Sequence, residues 1–411
     1  MKKNILTAII MCAASLVATA QVKPGVEVLR DHGFKELAGK RVGLITNPTG
    51  VDNNLKSTVD ILHDAENVEL VALFGPEHGV RGDVHAGDEF GNSVDPATGV
   101  KVYSIFGKTK KPTAEMLKGI DALVYDIQDI GCRSFTFVST LGLALEACAE
   151  NDMEFVVLDR PNPLGGNRVE GNLVEDGFYS FVSQFKIPYL YGLTPGEMAR
   201  YLNGERMVAG GKQAKLTVVP MEGWTRDMTF DKTGMPWILP SPHIPQPVTS
   251  YYYPATGILG ELYYVSIGVG YTLPFQLICA DWINAEQFAA RMNALNLPGV
   301  KCRAIYIKPF YSTGKGENLQ GIQFYIDDTP ESSLTLLQFY AMQVLAEMYP
   351  DKKIFETTTD KSRFNMFDKV CGTDQIRLRF SKNYKVSDII DYWTKDAAAF
   401  KAKSSKYYLY K

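Results

Sequence analysis

The 411-residue sequence contains no run of basic residues, no Cys-x-x-Cys pair, no His-Glu-x-x-His motif and no Gly-x-Ser-x-Gly elbow. Each absence removes a class of function. Without clustered Lys and Arg, and with a formal net charge of −3, the chain has no electrostatic footprint for nucleic acid. Its six cysteines are scattered and form neither a zinc pattern nor a disulfide framework, so buried free thiols are expected. Gly268-Val269-Gly270 lacks the third glycine of a dinucleotide fingerprint, and Gly314-Lys315-Gly316 lacks the phosphate-loop spacing. No cofactor is therefore expected. The missing serine elbow argues against an esterase. Past residue 20, no apolar run reaches the ~20 residues of a spanning helix.

What is present begins with a processing signal. Lys2 and Lys3 precede an apolar stretch from Ile5 to Val17, closed by the small-residue site Ala18-Thr19-Ala20. Residues 1–20 are thus expected to be removed on export, leaving a periplasmic or secreted protein that starts near Gln21. Cys12 raises the alternative of lipid anchoring, but the bulky Met11 before it favours ordinary cleavage.

From Arg41 to about Val219, short β-branched runs alternate with helical patterns, the signature of a mostly parallel sheet covered by helices. Strands are expected over Arg41–Thr46, Val68–Phe74, Lys101–Ile105, Asp121–Asp126, Glu154–Asp159 and Lys215–Pro220. Helices are expected over Leu55–His63, Phe137–Asn151 and Thr194–Leu202, the last opened by a capping box at Thr194 and Glu197. The proline-rich stretch Pro236–Tyr253 reads as an extended connector. Beyond it, strands over Cys302–Ile307 and Gly321–Ile326 and a helix over Leu334–Tyr349 suggest a smaller α+β domain. The division is 21–245 and 246–411, so the fold class is α/β with an α+β C-terminal domain closing a cleft.

In such a sheet the ligand crevice lies beyond the carboxyl ends of the strands. The loops there carry the candidates. Glu77 is pinned between Pro76 and Gly79 with His78 beside it. A carboxyl group at the mouth of a dry cleft has the raised pKa that a general acid requires. Asp126 and Asp129 form a second acidic cluster with Arg133 one turn on; the plainer reading caps a turn with Asp126 and pairs Asp129 with Arg133. Asp159, Arg160 and Asn162 follow the next strand. Arg160 suits a substrate carboxylate and Asn162 a sugar hydroxyl, against the plainer reading of an Asp159–Arg160 ion pair. Glu77, His78, Asp83, His85 and Asp88 are potential metal ligands, but adjacent side chains rarely share one ion, and no metal is expected. His243, between prolines, reads as a wall of the substrate site.

These loops resemble a known family. Gly43-Leu44-Ile45-Thr46-Asn47-Pro48-Thr49-Gly50, Phe74-Gly75-Pro76-Glu77-His78-Gly79, Tyr125-Asp126-Ile127-Gln128-Asp129-Ile130-Gly131 and Leu158-Asp159-Arg160-Pro161-Asn162-Pro163-Leu164-Gly165-Gly166 are similar to the signatures of the exo-β-N-acetylmuramidases. Pro240-Ser241-Pro242, Pro274-Phe275 and Tyr407-Tyr408-Leu409-Tyr410 extend the resemblance over the mature chain. It implies a Rossmann-like catalytic domain, muramyl saccharides from peptidoglycan as partners, and removal of N-acetylmuramic acid from non-reducing ends. Glycosidases use two carboxyl groups, ~6.5–9.5 Å apart for inversion and closer for retention. Glu77 fits the acid, with Asp126, Asp129 or Glu170 as the second carboxylate. Arg133 or Arg160 would hold the lactyl carboxylate; Asn47, His78, Asp159, Asn162, His243 and Glu261 complete the expected substrate contacts. One stretch departs from the pattern Ser-Glu-Gly-Arg-Gly-Thr-Thr: Ser266-Ile267-Gly268-Val269-Gly270-Tyr271-Thr272 carries Ile267 and Val269 instead of a carboxylate and a guanidinium. A non-cleaving or altered-specificity amino-sugar binder is therefore the alternative.

Overall fold

A computed structural model describes residues 21–84, 87–327, 331–358 and 360–411. The expected processing signal over 1–20 and His85 of the acidic segment lie outside the described residues.

The larger lobe is built on seven strands: β1 Arg41–Thr46, β2 Glu69–Gly75, β3 Ser93–Val94, β4 Lys101–Ser104, β5 Ala122–Asp126, β6 Glu154–Leu158 and β7 Lys215–Val219. They lie in the order β3-β4-β2-β1-β5-β6-β7, all parallel except for the short β3–β4 pair. The six expected strands are all present, because short apolar runs buried on both faces are what a helix-covered parallel sheet requires. Helices α1 Gly25–Asp31, α2 Thr58–His63, α3 Phe137–Glu150 and α4 Pro195–Gly204 accompany them. Thr194 and Glu197 form the expected capping box, each side chain bonding the other's backbone amide. Strand order reverses between β1 and β5, so loops after β1, β2 and β5 converge on one switch point.

One expectation fails. The stretch Pro236–Tyr253 is not extended throughout: α5, Thr249–Gly260, begins inside it. Its prolines end at Pro247, just ahead of the helix, so they set the entry and do not forbid the helix. Pro254 falls within α5, and the buried Gln338 side chain donates to its carbonyl at 2.9 Å.

The smaller lobe follows as expected, with an antiparallel sheet of β8 Leu277–Ala280, β9 Val300–Ile307 and β10 Leu319–Ile326 in the order β8-β10-β9. Helix α6 Ala285–Asn293 packs on it and α7 Leu337–Met348 packs on α6 and α5, followed by α8 Ile354–Thr357, α9 Ser362–Cys371, α10 Gln375–Asn383, α11 Ile390–Thr394 and α12 Ala397–Ser404. Rings of Phe339, Phe355, Phe367, Phe380 and Trp393 interlock edge to face beneath them. The buried apolar cluster is continuous from Phe74 and Phe137 in the large lobe to Phe339 and Trp393 in the small one, so the lobes share a core. Five cysteines are buried and free among the described residues.

Polar connections also join the lobes. Glu170, from the large lobe, accepts from the backbone amides of Leu334 and Thr335 and the hydroxyls of Ser333 and Thr335, the turn that leads into α7. The segment Tyr407–Lys411 returns to the large lobe: Tyr410 bonds Asp159, the Leu409 amide bonds Glu197, and Tyr408 lies 3.4 Å beneath the Arg226 guanidinium.

Candidate active site

Glu77 occupies the corner of a tight turn closed by the Gly79 amide on the Pro76 carbonyl at 2.9 Å. His78, the next residue, adopts φ 73°, a left-handed conformation uncommon for a side chain other than glycine. That conformation turns the chain at the end of β2 and projects Glu77 across the switch point towards the start of α3. Thr136, at the N-cap of α3, donates to Glu77 Oε2 at 2.8 Å, and the Gly87 amide donates to Oε1 at 3.2 Å. The carboxylate therefore faces the positive end of a 14-residue helix.

A cavity of about 440 Å³ opens over Glu77. Phe106, Phe181 and Met366 form its apolar walls, Lys110 and Lys369 enter from opposite lobes, and Glu89 stands at its rim. Neither lysine has a carboxylate within ion-pair distance among the described residues. Such an arrangement suits a ligand with an apolar body and an acidic substituent.

Behind Glu77 lies a second set of groups. The Ser134 hydroxyl meets those of Tyr189 and Tyr253 at 2.9 and 3.2 Å. Burial holds the Tyr253 phenol well above its usual pKa, and the charges of Glu261 and Glu77 both reinforce that effect. Glu261 caps the C-terminal end of α5; burial raises its carboxyl pKa against the opposing pull of Arg363 on α9. Across the cleft, His243 bonds Tyr311 at 2.6 Å, and burial followed by the nearby His78 lowers its pKa. His78 itself is turned by a contact from Nδ1 to the Val84 carbonyl at 3.2 Å. Glu77 and Glu261 thus both lie near Tyr253, and His78 lies near His243.

The other expected site residues serve the scaffold. Asp126 is fully buried and receives two bonds from Arg160, Nε to Oδ1 at 2.5 Å and Nη2 to Oδ2 at 2.9 Å, with Thr58 adding a third at 2.5 Å. Parallel pairing puts the ends of β5 and β6 side by side, so Arg160 meets Asp126 and not its chain neighbour Asp159. Arg160 has no free fork for a substrate. Asp159 is fully buried and accepts from Thr194, the Gly196 amide and Tyr410; burial pushes its carboxyl up to about 7. Asn162 accepts from the Leu164 amide in its own loop and donates to the Leu193 carbonyl just ahead of α4.

Arg133 does not pair with Asp129. Gly131, at φ 76°, turns the loop between them, and a Cβ there would lie 2.4 Å from the Asn162 side chain. Arg133 instead points into the core and donates to the carbonyls of Asn172, Ile187 and Val370 at 2.7–2.9 Å. Burial lowers its guanidinium to about 10. Asp129 accepts from Tyr191 at 2.7 Å and the Gly131 amide at 2.8 Å; burial raises its carboxyl to about 6. Asn47 accepts from the Thr49 amide and hydroxyl, and Glu170 is committed to the turn before α7. Ile267 is buried against Gly260, and Val269 packs at the edge of the same core. Among the described residues no cluster of three or more potential metal ligands occurs.

The model of the exo-β-N-acetylmuramidase N-terminal domain matches residues 42–248, and that of the C-terminal domain matches 251–410. The chain belongs to the exo-β-N-acetylmuramidase family. It is 43% identical over 390 residues to the peptidoglycan β-N-acetylmuramidase NamZ of Bacillus subtilis, covering 95% of this chain and 92% of that one. A DUF1343 family protein from Bacteroides fragilis shares 60% identity and superposes with a TM-score of 0.92, covering 95% of this chain and 99% of the other. A second protein of that description and organism, 27% identical over the same shares, gives 0.75. This homology supports a glycosidase-like enzyme with a muramidase-like function.

Site residues that sequence reading passes over are Thr136, Tyr253, Lys110 and Lys369. Thr136 had a signal, as a hydroxyl at the start of a helix following a polar loop. Tyr253 was hidden in the stretch read as a connector. The two lysines lie far apart in the chain, and only the packing of α9 against the large lobe gathers them.

Proposed function

We propose that this family member is an exported hydrolase that removes N-acetylmuramic acid from the non-reducing ends of peptidoglycan fragments. The observation that carries the reading is the Glu77 cavity, in which one carboxylate is fixed by Thr136 and Gly87 while two lysines stand without acidic partners. Muramic acid differs from glucosamine by a lactyl carboxylate, and Lys369 or Lys110 supplies its counter-charge.

Glu261 and Glu77 divide the chemistry. Glu261, with its carboxyl pKa raised by burial, gives its proton to the departing glycosidic oxygen as the bond to the anomeric carbon breaks. Glu77, an acceptor on both oxygens, stabilises the positive charge developing at that carbon. It takes a proton from the water whose oxygen bonds there. This exchanges the acid role expected for Glu77 from its loop alone. The processing signal at the N-terminus supports export.

The test is release of chromophore from a β-N-acetylmuramide and from the matching glucosaminide, by the mature protein and by Glu77→Gln. Release from the muramide alone, lost in the variant, supports the reading. A second reading rests on Ile267, buried beside Gly260 where the family pattern carries a carboxylate. Binding of muramyl saccharides without release of either chromophore would favour this non-cleaving form.

A further inference from the structure

The small lobe carries a second concave surface that the hydrolytic reading does not use. It has a volume of about 850 Å³ and lies between the end of β9 and the start of β10. Tyr271 and Phe310 line it with nearly parallel rings, 17° apart in plane and 6.1 Å between centroids. Phe310 is 69% exposed and Tyr306, on the same wall, 62%. Large flat rings left in water beside a hollow of this size mark a binding surface, because each exposes apolar area that a flat ligand would cover. Their surroundings are polar. Lys308, Lys315, Asn318 and Gln320 complete the wall, and neither lysine has a carboxylate within ion-pair distance among the described residues.

We infer that this surface holds the continuing strand of a β-linked amino-sugar glycan, with pyranose rings stacked on Phe310 and Tyr306 and strand carboxylates facing Lys308 and Lys315. Pyranose rings present flat C–H faces to aromatic rings and direct hydroxyl and acetamide groups outward, where lysine and amide side chains can meet them. A chain of contacts leads from this surface towards His78 and Glu77. The Phe310 amide bonds the Gly270 carbonyl at 2.7 Å, the adjacent Tyr311 hydroxyl bonds His243 at 2.6 Å, and His243 feels the charge of His78 beside Glu77. The inference rests on the proposed function for its choice of glycan. A protein partner would want a drier and less lysine-rich face.

The test measures affinity by calorimetry in the full mature chain carrying Glu77→Gln, with and without Tyr306→Ala/Phe310→Ala. The probes are peptide-free peptidoglycan disaccharide and hexasaccharide, with neutral chitohexaose beside them. The double variant is expected to bind the hexasaccharide about tenfold more weakly while its disaccharide affinity is unchanged. Phe310→Trp is expected to keep hexasaccharide binding. Lys308→Met/Lys315→Met should weaken the acidic hexasaccharide and leave chitohexaose unaffected. Equal hexasaccharide affinity with and without the rings would overturn the inference, as would an equal loss for the disaccharide. Unfolding midpoints of all variants are compared, and both rings are exposed, so folding is retained. These affinities are read without turnover, so failure of the chromogenic assay overturns the hydrolytic reading and leaves this test standing.

Discussion

Tyr410 donates a hydrogen bond of 2.6 Å to Asp159, joining the far end of the small lobe's chain to the buried end of β6. The same phenol oxygen accepts from the Met221 amide at 2.9 Å, and Asp159 also anchors Thr194 and the Gly196 amide at the start of α4. Tyr410→Phe removes one donor from a fully buried carboxyl group. The expected cost is about 1–3 kcal/mol, read as a lower urea midpoint at unchanged slope. A variant as stable as the parent would show that the contact is dispensable.

The carboxyl pair makes a kinetic prediction. Glu261→Gln and Glu77→Gln should each lower kcat by about 10²–10⁴-fold. Loss of Glu261, whose carboxyl pKa burial raises, should remove the alkaline limb of the pH profile. An alkaline limb that persists in Glu261→Gln would refute its role as the acid.

Stability against pH follows from two buried acids. Asp129 is raised to about 6 and Asp159 to about 7, both by burial, from an ordinary value of 3.8. Between those values the folded state holds more protons than the unfolded one, so stability falls as pH rises. Their contribution is complete below about pH 4 and lost through pH 6 and then 7. Asp95 and Glu205, each lowered to about 2 by ion pairing, act in the opposite sense below about pH 4.5, and His243, lowered by burial, opposes the trend within the window without outweighing two buried acids. Melting temperature is therefore expected to decline from pH 4 to 7, with Asp129→Asn flattening the lower part. A rising curve across this range would contradict the burial argument.

Arg133 is a buried cation whose three bonds all go to carbonyl oxygens. Arg133→Met strands those carbonyls, and a loss of at least about 3 kcal/mol is expected from denaturant unfolding. Arg133→Lys, with one nitrogen in place of a fork, should recover only part of it.

Much of the scaffold was legible in local sequence. The six parallel strands announced themselves as short apolar runs, and the Thr194–Glu197 box fixed the start of α4 where it was expected. The polar loops were also legible as a group, and Glu77 does line a cavity. What could not be read was which loop residue faces which. Asp126 and Arg160 are separated along the chain but adjacent across two parallel strands, and a single positive φ at Gly131 sends Arg133 away from Asp129. Side-chain direction at strand ends is a property of register and turn geometry, and neither is written in residue type. α5 was missed because prolines read as breakers also serve as entry points to a helix.

The Arg133 bond to the Val370 carbonyl has a mechanical meaning for the cleft. Val370 lies near the end of α9, whose Met366 and Lys369 form the wall opposite Glu77. That wall is therefore riveted to the lobe that carries Glu77, and the distance between its lysine and the carboxylate is held as the aperture of a gauge. On the proposed reading, length at that end of the ligand is read by a fixed calliper, and not by jaws that close to whatever enters.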